Sequence, residues 1–372
     1  MDSWYSREQA LAELGVAAQT LYAYVSRGLI ARRADPADPR RSQYRSDDIA
    51  ALTQRRARGR RPAAIAASAI AWGEPVIDTA ISTVVHGGLI YRGQDAAVLA
   101  EHATVEEVAR LLWDAPDRPV FPPVEAAPDP FAALAGMVAA ARALPGRSRD
   151  RLCADAAGAV ATLATALGAT GEGALHQRLS RGWGLDCGAA EVVRRALVLL
   201  ADHELNASTF AARVAASTGA SMPACLLAGL SALSGPRHGR AGAATAALAQ
   251  EAVTRGAEAA VARWLADHHA LPGFGHPLYP LGDPRATALL AVVTLDDALA
   301  RLRDAAAEAC DAAPNVDLAL LAMTRALALP DDASFRLFAL GRSIGWAAHV
   351  MEQAQTGAII RPRARYSGRG SR

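Results

Sequence analysis

Apolar residues spaced three and four positions apart recur along most of this chain beyond residue 62, and this period restricts the region to a mainly helical fold. The clearest case is TVEEVARLLWDAP, residues 104–116, where Thr104 and Glu107 form a capping-box pair and a proline ends the pattern. Its apolar face is made by Val105, Val108, Leu111 and Leu112. Residues 188–204 and 286–309 show the same pattern, and only residues 82–93 resemble a hairpin. We therefore predict an all-α body.

Charge divides the chain into two parts. Residues 1–61 hold 12 Arg and 7 acidic residues, a balance of +5, whereas the whole chain carries +2, so the remainder carries −3. The run RRARGRRPAA, residues 55–64, ends this basic segment with a glycine and a proline. We predict two domains, a basic head at 1–61 and a larger, mildly acidic body at 62–372.

The head has the pattern of two short helices separated by a glycine. Ser6 and Gln9 are a capping pair for a helix over 6–14, Gly15 breaks it, and residues 16–30 predict a second helix. An arginine-rich turn and a further helix start, DDIAAL, follow. Through REQALAELGV, TLYAYVSRGLI and YRSDDIAAL the head resembles MerR-like winged helix-turn-helix domains.

That resemblance implies a DNA partner. The candidates for contact with bases or backbone are Gln19, Thr20, Tyr22 and Arg27, and those for contact with phosphates are Arg32, Arg33, Arg40 and Arg41. Ala17 and Ala18 stand where such domains usually carry a serine cap and a longer polar residue. This departure weakens the argument that the second helix forms sequence-specific contacts with bases. The alternative is a small helical domain that contacts protein.

Four scattered cysteines without C-x-x-C spacing argue against a disulfide framework or a zinc site, and they fit a reducing cytoplasm. The start of the chain, MDSWYSREQA, has no apolar run of the signal-peptide type. Residues 214–235 carry no charge, but serine, threonine, glycine and proline interrupt them, so we interpret them as buried helix and turn instead of a membrane span. We predict a cytoplasmic protein.

Three histidines lie beside residues that interrupt helices. They are His203 in ADHELNAST, His238 in SGPRHGRAG and His276 in PGFGHPLYP. Asp317 follows a further proline break in APNVD. Taken singly, a histidine is more often an ordinary core or surface residue, and such an aspartate is usually a cap. Their position at loops and helix ends nevertheless makes them candidates for a functional site.

Six sequence blocks, in order, resemble the citrate synthase family, including its 2-methylcitrate synthases, over about residues 75–366. The first stretch is HGGLIYRGQDAAVLAEHATVEEVARLLWD, and the blocks are ADHELNAST, GPRHG, GFGHPLYPLGDPRA, PNVD, LFALGRSIGWAAHVMEQ and IIRPRARY. The resemblance implies a two-lobed helical fold. It places a large lobe at 62–238 and 331–372 and a small lobe at 239–330, whose closure would assemble the site.

The resemblance also implies an acyltransferase that joins the methyl carbon of acetyl-CoA to the ketone of oxaloacetate, giving citrate and CoA. Asp317 is then the base, His238 the donor at the thioester oxygen, and His276 the group that polarises the ketone. Oxaloacetate is bound by His203, Arg285, Arg342 and Arg361. Arg361 reaches across a dimer interface in the family, so a homodimer is implied. No metal or redox cofactor is needed, and acetyl-CoA enters as a substrate.

Several positions depart from the family pattern around the acyl-CoA. Pro277 and Pro280 stand where Arg or Lys is usual, Arg237 and Arg240 stand where Leu and Gly are usual, and Gly242 replaces a common Asn. Two alternatives to a citrate synthase that uses acetyl-CoA therefore stay open. One is a DNA-binding regulator that senses oxaloacetate, citrate or acyl-CoA. The other is an enzyme for a different 2-oxoacid or acyl-CoA.

Because Arg342 lies in an apolar helix, we also expect it to have a carboxylate partner.

Overall fold

The computed structural model describes residues 4–14, 21, 24–25, 29–36, 42–50, 77–125, 129–268 and 271–363. The chain divides into two compact units, one of Met1–Asp78 with Arg361–Arg372 and one of Thr79–Ile360. The charge boundary near residue 61 lies within residues 51–76, which are outside the described ranges, so its position stays a prediction.

The smaller unit contains strand β1 (Trp4–Tyr5), helix α1 (Arg7–Leu14), and strands β2 (Arg32–Ala34) and β3 (Ser42–Arg45). The sheet is antiparallel with β3 in the middle. The predicted capping pair is present, because Ser6 N donates to Gln9 Oε1 at 2.8 Å and Gln9 N donates to Ser6 Oγ at 3.3 Å. A small core gathers these elements and contains Ala10, Leu14, Leu21, Ile30, Tyr44 and Ile49.

The described part of the head does not establish a winged helix-turn-helix. The first predicted helix is confirmed as α1, and β2 and β3 form a hairpin where the wing was expected. Most of the second helix lies outside the described residues, as do the candidates Gln19, Thr20, Tyr22, Arg27, Arg40 and Arg41. Arg32 is exposed. Arg33 donates to Gln43 Oε1 at 2.9 Å and lies 4.2 Å from the ring centre of Trp4.

The larger unit begins with a small antiparallel sheet of β4 (Ser82–Val85), β5 (Gly88–Tyr91) and β6 (Gln94–Asp95). The turn between β4 and β5 is formed by His86 and Gly87, both with positive φ, which suits a tight hairpin. The predicted hairpin is therefore confirmed, with a short third strand added.

Helices make up most of the rest. Their bounds are α2 Ala96–His102, α3 Val105–Trp113, α4 Pro130–Val138, α5 Arg149–Ala166, α6 Leu175–Gly182, α7 Cys187–Leu200, α8 Ala207–Ser217, α9 Met222–Leu233, α10 Gly242–Arg255, α11 Ala257–His268, α12 Pro284–Leu290, α13 Asp297–Cys310, α14 Val316–Ala326 and α15 Ala333–Thr356. The all-α prediction is confirmed in part: the body is mostly helical, with one small sheet, β4–β6. The capping box of Thr104 and Glu107 starts α3 as expected.

The long helix α15 runs through the core and packs against α3, α7, α8 and α9. Gly341 and Gly345 let it approach the end of α7 closely, because a side chain at Gly341 would meet Leu200 and one at Gly345 would meet Asp202. The backbone N–H of Gly345 donates to Ala201 O at 3.0 Å. This contact brings the segment that follows α7 against the centre of α15.

Two segments differ from a simple helical pattern. Residues 286–309 form two helices, α12 and α13, because Asp296 caps a new start through Leu299 N at 2.8 Å. Residues 214–235 contain the end of α8, a turn and α9, as predicted. Among the described residues no helix is long and apolar enough to cross a membrane. All four cysteines are free.

Candidate active site

Backbone pairing joins the loop that carries His276 to the loop before α14. Gly275 N donates to Ala313 O at 2.8 Å, and Asn315 N donates to Gly273 O at 2.9 Å. Gly273 has a φ of +84°, and a side chain there would collide with Thr245, so both the conformation and the close approach require glycine. The two loops are therefore fixed side by side, although about 40 residues separate them in sequence.

Asp317 lies in the first turn of α14. Asn315 caps this helix and accepts a hydrogen bond from Asp317 N at 2.9 Å. The side chain is half-buried, and burial raises the pKa of Asp317 to about 6, while the charge of Arg285 opposes the rise and that of Asp283 adds to it. A carboxylate with a pKa near neutrality is suited to accept and release a proton.

His276 has a fixed proton position. Its Nδ1 accepts the backbone N–H of Leu278 at 3.2 Å, so in the neutral ring the proton is on Nε2. Burial, together with the charge of Arg285, lowers the pKa of His276 to about 4. The ring is therefore neutral near pH 7 and presents an N–H donor.

His203 is buried beside it. The two rings meet edge to face with their centres 5.1 Å apart. The Nε2 atom of His203 lies 2.8 Å from the hydroxyl oxygen of Tyr279. Burial, followed by the charges of Arg285 and Arg342, holds the pKa of His203 well below its usual value. Tyr279 was not identified from the sequence, although it follows His276 by three positions.

Arg285 is almost fully buried and is held by a carboxylate two residues earlier. Its Nε donates to Asp283 Oδ1 at 2.9 Å and its Nη2 to Asp283 Oδ2 at 2.8 Å. The guanidinium also lies 5.4 Å from the ring centre of Tyr279. This bidentate pair is a second feature that the sequence analysis missed.

Arg342 is also buried, with 1% of its surface exposed. Its Nε donates to Leu200 O at 3.0 Å. No described Asp or Glu forms an ion pair with this side chain, but the charge of Asp202 acts on it: burial lowers the pKa of Arg342 and Asp202 opposes that shift. The helix–helix approach at Gly341 instead supplies a carbonyl group. Among the described residues the terminal nitrogens of Arg342 have no hydrogen-bond partner, so they are candidates to bind a ligand carboxylate.

His238 is oriented by a serine on α8. Its Nε2 lies 2.8 Å from Ser208 Oγ, which also accepts from Trp346 Nε1 at 3.2 Å and lies 2.7 Å from Asn206 Oδ1. The single serine hydrogen can go to His238 or to Asn206. When it goes to His238, the imidazole proton is on Nδ1. Burial lowers the pKa of His238 to about 4, so the ring is neutral.

A chain of buried polar side chains holds the segment that carries His203. Asp202 accepts from Ser82 and from His349 Nε2, the latter at 3.2 Å, and His349 Nδ1 accepts from Arg213 at 3.1 Å. Arg213 in turn donates to Glu352 at 2.6 Å. Because Asp202 precedes His203, this chain fixes the start of the ADHELNAST segment against α15.

The remaining predicted positions lie elsewhere. Arg361 is exposed and belongs to the smaller unit. Pro277, Pro280 and Arg237 are exposed, and Arg240 lies 4.8 Å from the ring centre of Phe335. The described residues contain no cluster of three histidine, cysteine or acidic side chains arranged for a metal ion.

Comparison with known proteins finds relatives of this chain among the citrate synthases. A family model described as citrate synthase, C-terminal domain, matches residues 126–363. "Citrate synthase 2" of Bacillus subtilis is 35% identical over 189 residues, which is 48% of this chain and 51% of that protein. The "2-methylcitrate synthase" of Shewanella oneidensis is 35% identical over 193 residues, covering 48% of this chain and 50% of that protein. The chain thus spans about half the length of the curated relatives it matches.

Solved structures share the fold. Citrate synthase from Thermotoga maritima has a TM-score of 0.67 at 25% identity, covering 80% of this chain and 95% of that one. A ternary complex of carboxymethyl coenzyme A and oxaloacetate with citrate synthase from Thermoplasma acidophilum gives 0.67 at 23% identity, with the same coverage. Because the family model covers more than half of the sequence, the chain belongs to the citrate synthase family.

Proposed function

We propose that the chain catalyses a citrate synthase-type condensation, in which a short acyl-CoA adds to oxaloacetate and CoA is released. The observation that carries this proposal is the grouping of His203, His276, Arg285 and Arg342. All four are wholly or partly buried, and the charges of both arginines act on His203. Two guanidiniums and two neutral imidazoles suit a small dicarboxylate with a polar carbonyl group.

In the first step Asp317 removes a proton from the carbon next to the thioester. The carboxylate has a raised pKa and no hydrogen-bond partner among the described side chains, so its oxygens are available as a base. His238 donates from Nδ1 to the thioester oxygen, where enolate charge develops. This tautomer requires the Ser208 hydrogen to go to His238 Nε2 and not to Asn206 Oδ1.

In the second step the nucleophilic carbon attacks the ketone of oxaloacetate. His276 donates from Nε2 to the ketone oxygen, and its neutral state makes it a donor without a net charge. Arg285 and Arg342 hold the carboxylates, and His203 completes the pocket. Hydrolysis of the thioester then releases the product and CoA. This sequence of steps requires no metal or redox cofactor.

The partner subunit enters this proposal through Arg361. We expect a homodimer in which Arg361 of one chain completes the oxaloacetate site of the other. The acyl group is a separate question, because relatives of similar identity carry the names citrate synthase and 2-methylcitrate synthase. Acetyl-CoA and propionyl-CoA are therefore both substrates to test.

The test measures thiol release by the purified full chain with each acyl-CoA, in the presence and absence of oxaloacetate. Calorimetry measures the binding of oxaloacetate alone. We expect release that depends on oxaloacetate, and a His276→Ala variant that has lost it. No release with any short acyl-CoA would overturn the synthase. Oxaloacetate binding without release would instead favour a sensor.

A further inference from the structure

Asp283 is the most fully hydrogen-bonded carboxylate near the site. It is 2% exposed. Its Oδ1 accepts from Arg285 N at 3.0 Å and from Arg285 Nε at 2.9 Å. Its Oδ2 accepts from Arg285 Nη2 at 2.8 Å and from Val316 N at 3.0 Å. One side chain thus contacts the guanidinium, its own helix and the start of a second helix.

The pairing decides which edge of Arg285 faces a ligand. A guanidinium has two edges that can bind a carboxylate bidentately, one formed by Nε and Nη2 and one by Nη1 and Nη2. Asp283 occupies the first edge. The second edge keeps its donors, so a dicarboxylate must approach Arg285 end-on.

The bond to Val316 extends this effect to α14. Val316 is the first residue of that helix and Asp317 the second. Any movement of Asp283 therefore moves both the anion-binding guanidinium and the helix turn that carries Asp317. Asn315 caps this turn through Asp317 N, so the bond from Val316 N to Asp283 is a second, independent attachment.

We propose that Asp283 is a positioning residue that couples the oxaloacetate-binding guanidinium of Arg285 to the placement of Asp317. This inference rests on the proposed condensation for its kinetic consequences, but the coupling also affects oxaloacetate binding alone. Asp283 itself does not touch the substrate. Loss of the Asp283 carboxylate would leave the buried Arg285 unpaired and would at the same time remove one attachment of the first turn of α14.

The test compares Asp283→Asn with Asp296→Asn in the full-length protein. Asp296 is a matched control, because it also caps a helix and pairs with an arginine, Arg325, at 3.0 Å, but it is half-exposed and outside the site. For Asp283→Asn we expect the KM for oxaloacetate to rise about tenfold and kcat to fall as well. We expect both constants to stay within about twofold for Asp296→Asn.

The pH profile separates positioning from simple loss of stability. The charges that act on Asp317 are those of Arg285, which lowers its pKa, and Asp283, which raises it. Removing the Asp283 charge should move the acidic limb of kcat/KM to lower pH, and Asp296→Asn should leave it in place. If Asp283→Asn does not fold, Asp283→Ser retains a cap for Arg285 N and serves in its place.

Calorimetry of oxaloacetate distinguishes the two proposals. If the wild type binds oxaloacetate but releases no thiol, the condensation is overturned, and a binding loss of about tenfold in Asp283→Asn still supports the coupling. The coupling is overturned if a folded Asp283→Asn or Asp283→Ser variant keeps the oxaloacetate affinity, the kcat and the acidic limb of the kcat/KM profile of the wild type. Failure of the wild type to bind oxaloacetate overturns both.

Discussion

The Nε2 atom of His203 and the hydroxyl oxygen of Tyr279 lie 2.8 Å apart in the buried centre of the site. Tyr279 also lies against His276, with ring centres 4.9 Å apart. One phenol ring therefore orients one imidazole through a hydrogen bond and supports the other by packing.

The Tyr279→Phe variant tests this orientation. It retains the ring but removes the only partner that the structure gives to His203 Nε2 among the described residues. We expect a loss of about 1 kcal/mol in oxaloacetate binding, seen as a several-fold rise in KM with a smaller change in kcat. Tyr44→Phe, in the core of the smaller unit, is the control. Equal effects of both variants would contradict a role for the Tyr279 hydroxyl.

Asp317→Asn should separate chemistry from binding and stability. Without the base we expect kcat to fall by at least about 100-fold, with little change in oxaloacetate affinity. Because the folded pKa of Asp317 is raised to about 6, its ionised form disfavours folding above that pH. The variant should therefore melt higher than the wild type at pH 8, and this gain should vanish below pH ~4.

The control for that variant is Asp311→Asn, at an exposed helix end with a φ of +52° that asparagine tolerates. It should retain full activity and show no pH-dependent gain in melting temperature. An Asp317→Asn enzyme that keeps most of its kcat would show that another group is the base.

The pH dependence of the wild type should have one acidic limb near pH 6. Asp317 must be ionised to act, and its pKa is about 6 in the free enzyme, which is the state that kcat/KM reports. His238 and His276 have a pKa of about 4, so they are neutral throughout this range. A flat profile of kcat/KM between pH 5 and 8 would be inconsistent with Asp317 as the base.

Gly345→Ala tests the close approach of α15 to Asp202. The added methyl group would overlap Asp202 and the carbonyl of Ala201, so we expect a loss of about 1–3 kcal/mol in the free energy of unfolding and weaker oxaloacetate binding. Gly158→Ala is the matched control, because Gly158 lies inside α5 with open space around it. This variant should gain about 0.5–1 kcal/mol in the free energy of unfolding. Denaturant titrations measure both, and equal stability changes would refute the argument.

Mixed dimers test the shared site. Arg361→Ala and His276→Ala should each be inactive alone. After subunit exchange, some dimers would contain one intact site, built from Arg361 of one chain and His276 of the other, and thiol release should partly return. Exchange confirmed by a size-tagged subunit without recovery of activity would show that Arg361 does not complete a neighbouring site.

The sequence predicted the features that depend on local chemistry. The capping boxes at Ser6 and Thr104 are present, and residues 82–93 form the expected hairpin. The break between α12 and α13 was missed because the apolar period continues through it, although the Asp296–Asp297 pair is a cap signal. Local periodicity does not record where a helix must turn to pack.

The site was predicted only in part for a similar reason. The sequence identified His203, His238, His276, Arg285, Arg342 and Asp317, and the structure brings them into the same unit. It did not identify Ser208, Trp346 or Asp283, because each acts on a residue brought near by folding. Ser208 and Trp346 are more than 130 residues apart in sequence but share one hydrogen bond. The DNA-contact candidates in the head stay predictions.

The backbone pairing between residues 273–275 and 313–315 has a consequence for how this candidate site can change in evolution. Peptide groups hold the loops that carry His276 and Asp317 side by side, so exposed side chains there, such as Pro277 and Pro280, can be exchanged without breaking that pairing. In the segment 277–281 that follows, Pro277, Pro280 and Leu281 are exposed, whereas Tyr279 is buried. Exposed positions at this edge of the candidate site can thus vary in evolution while the pairing that holds the two loops together is retained.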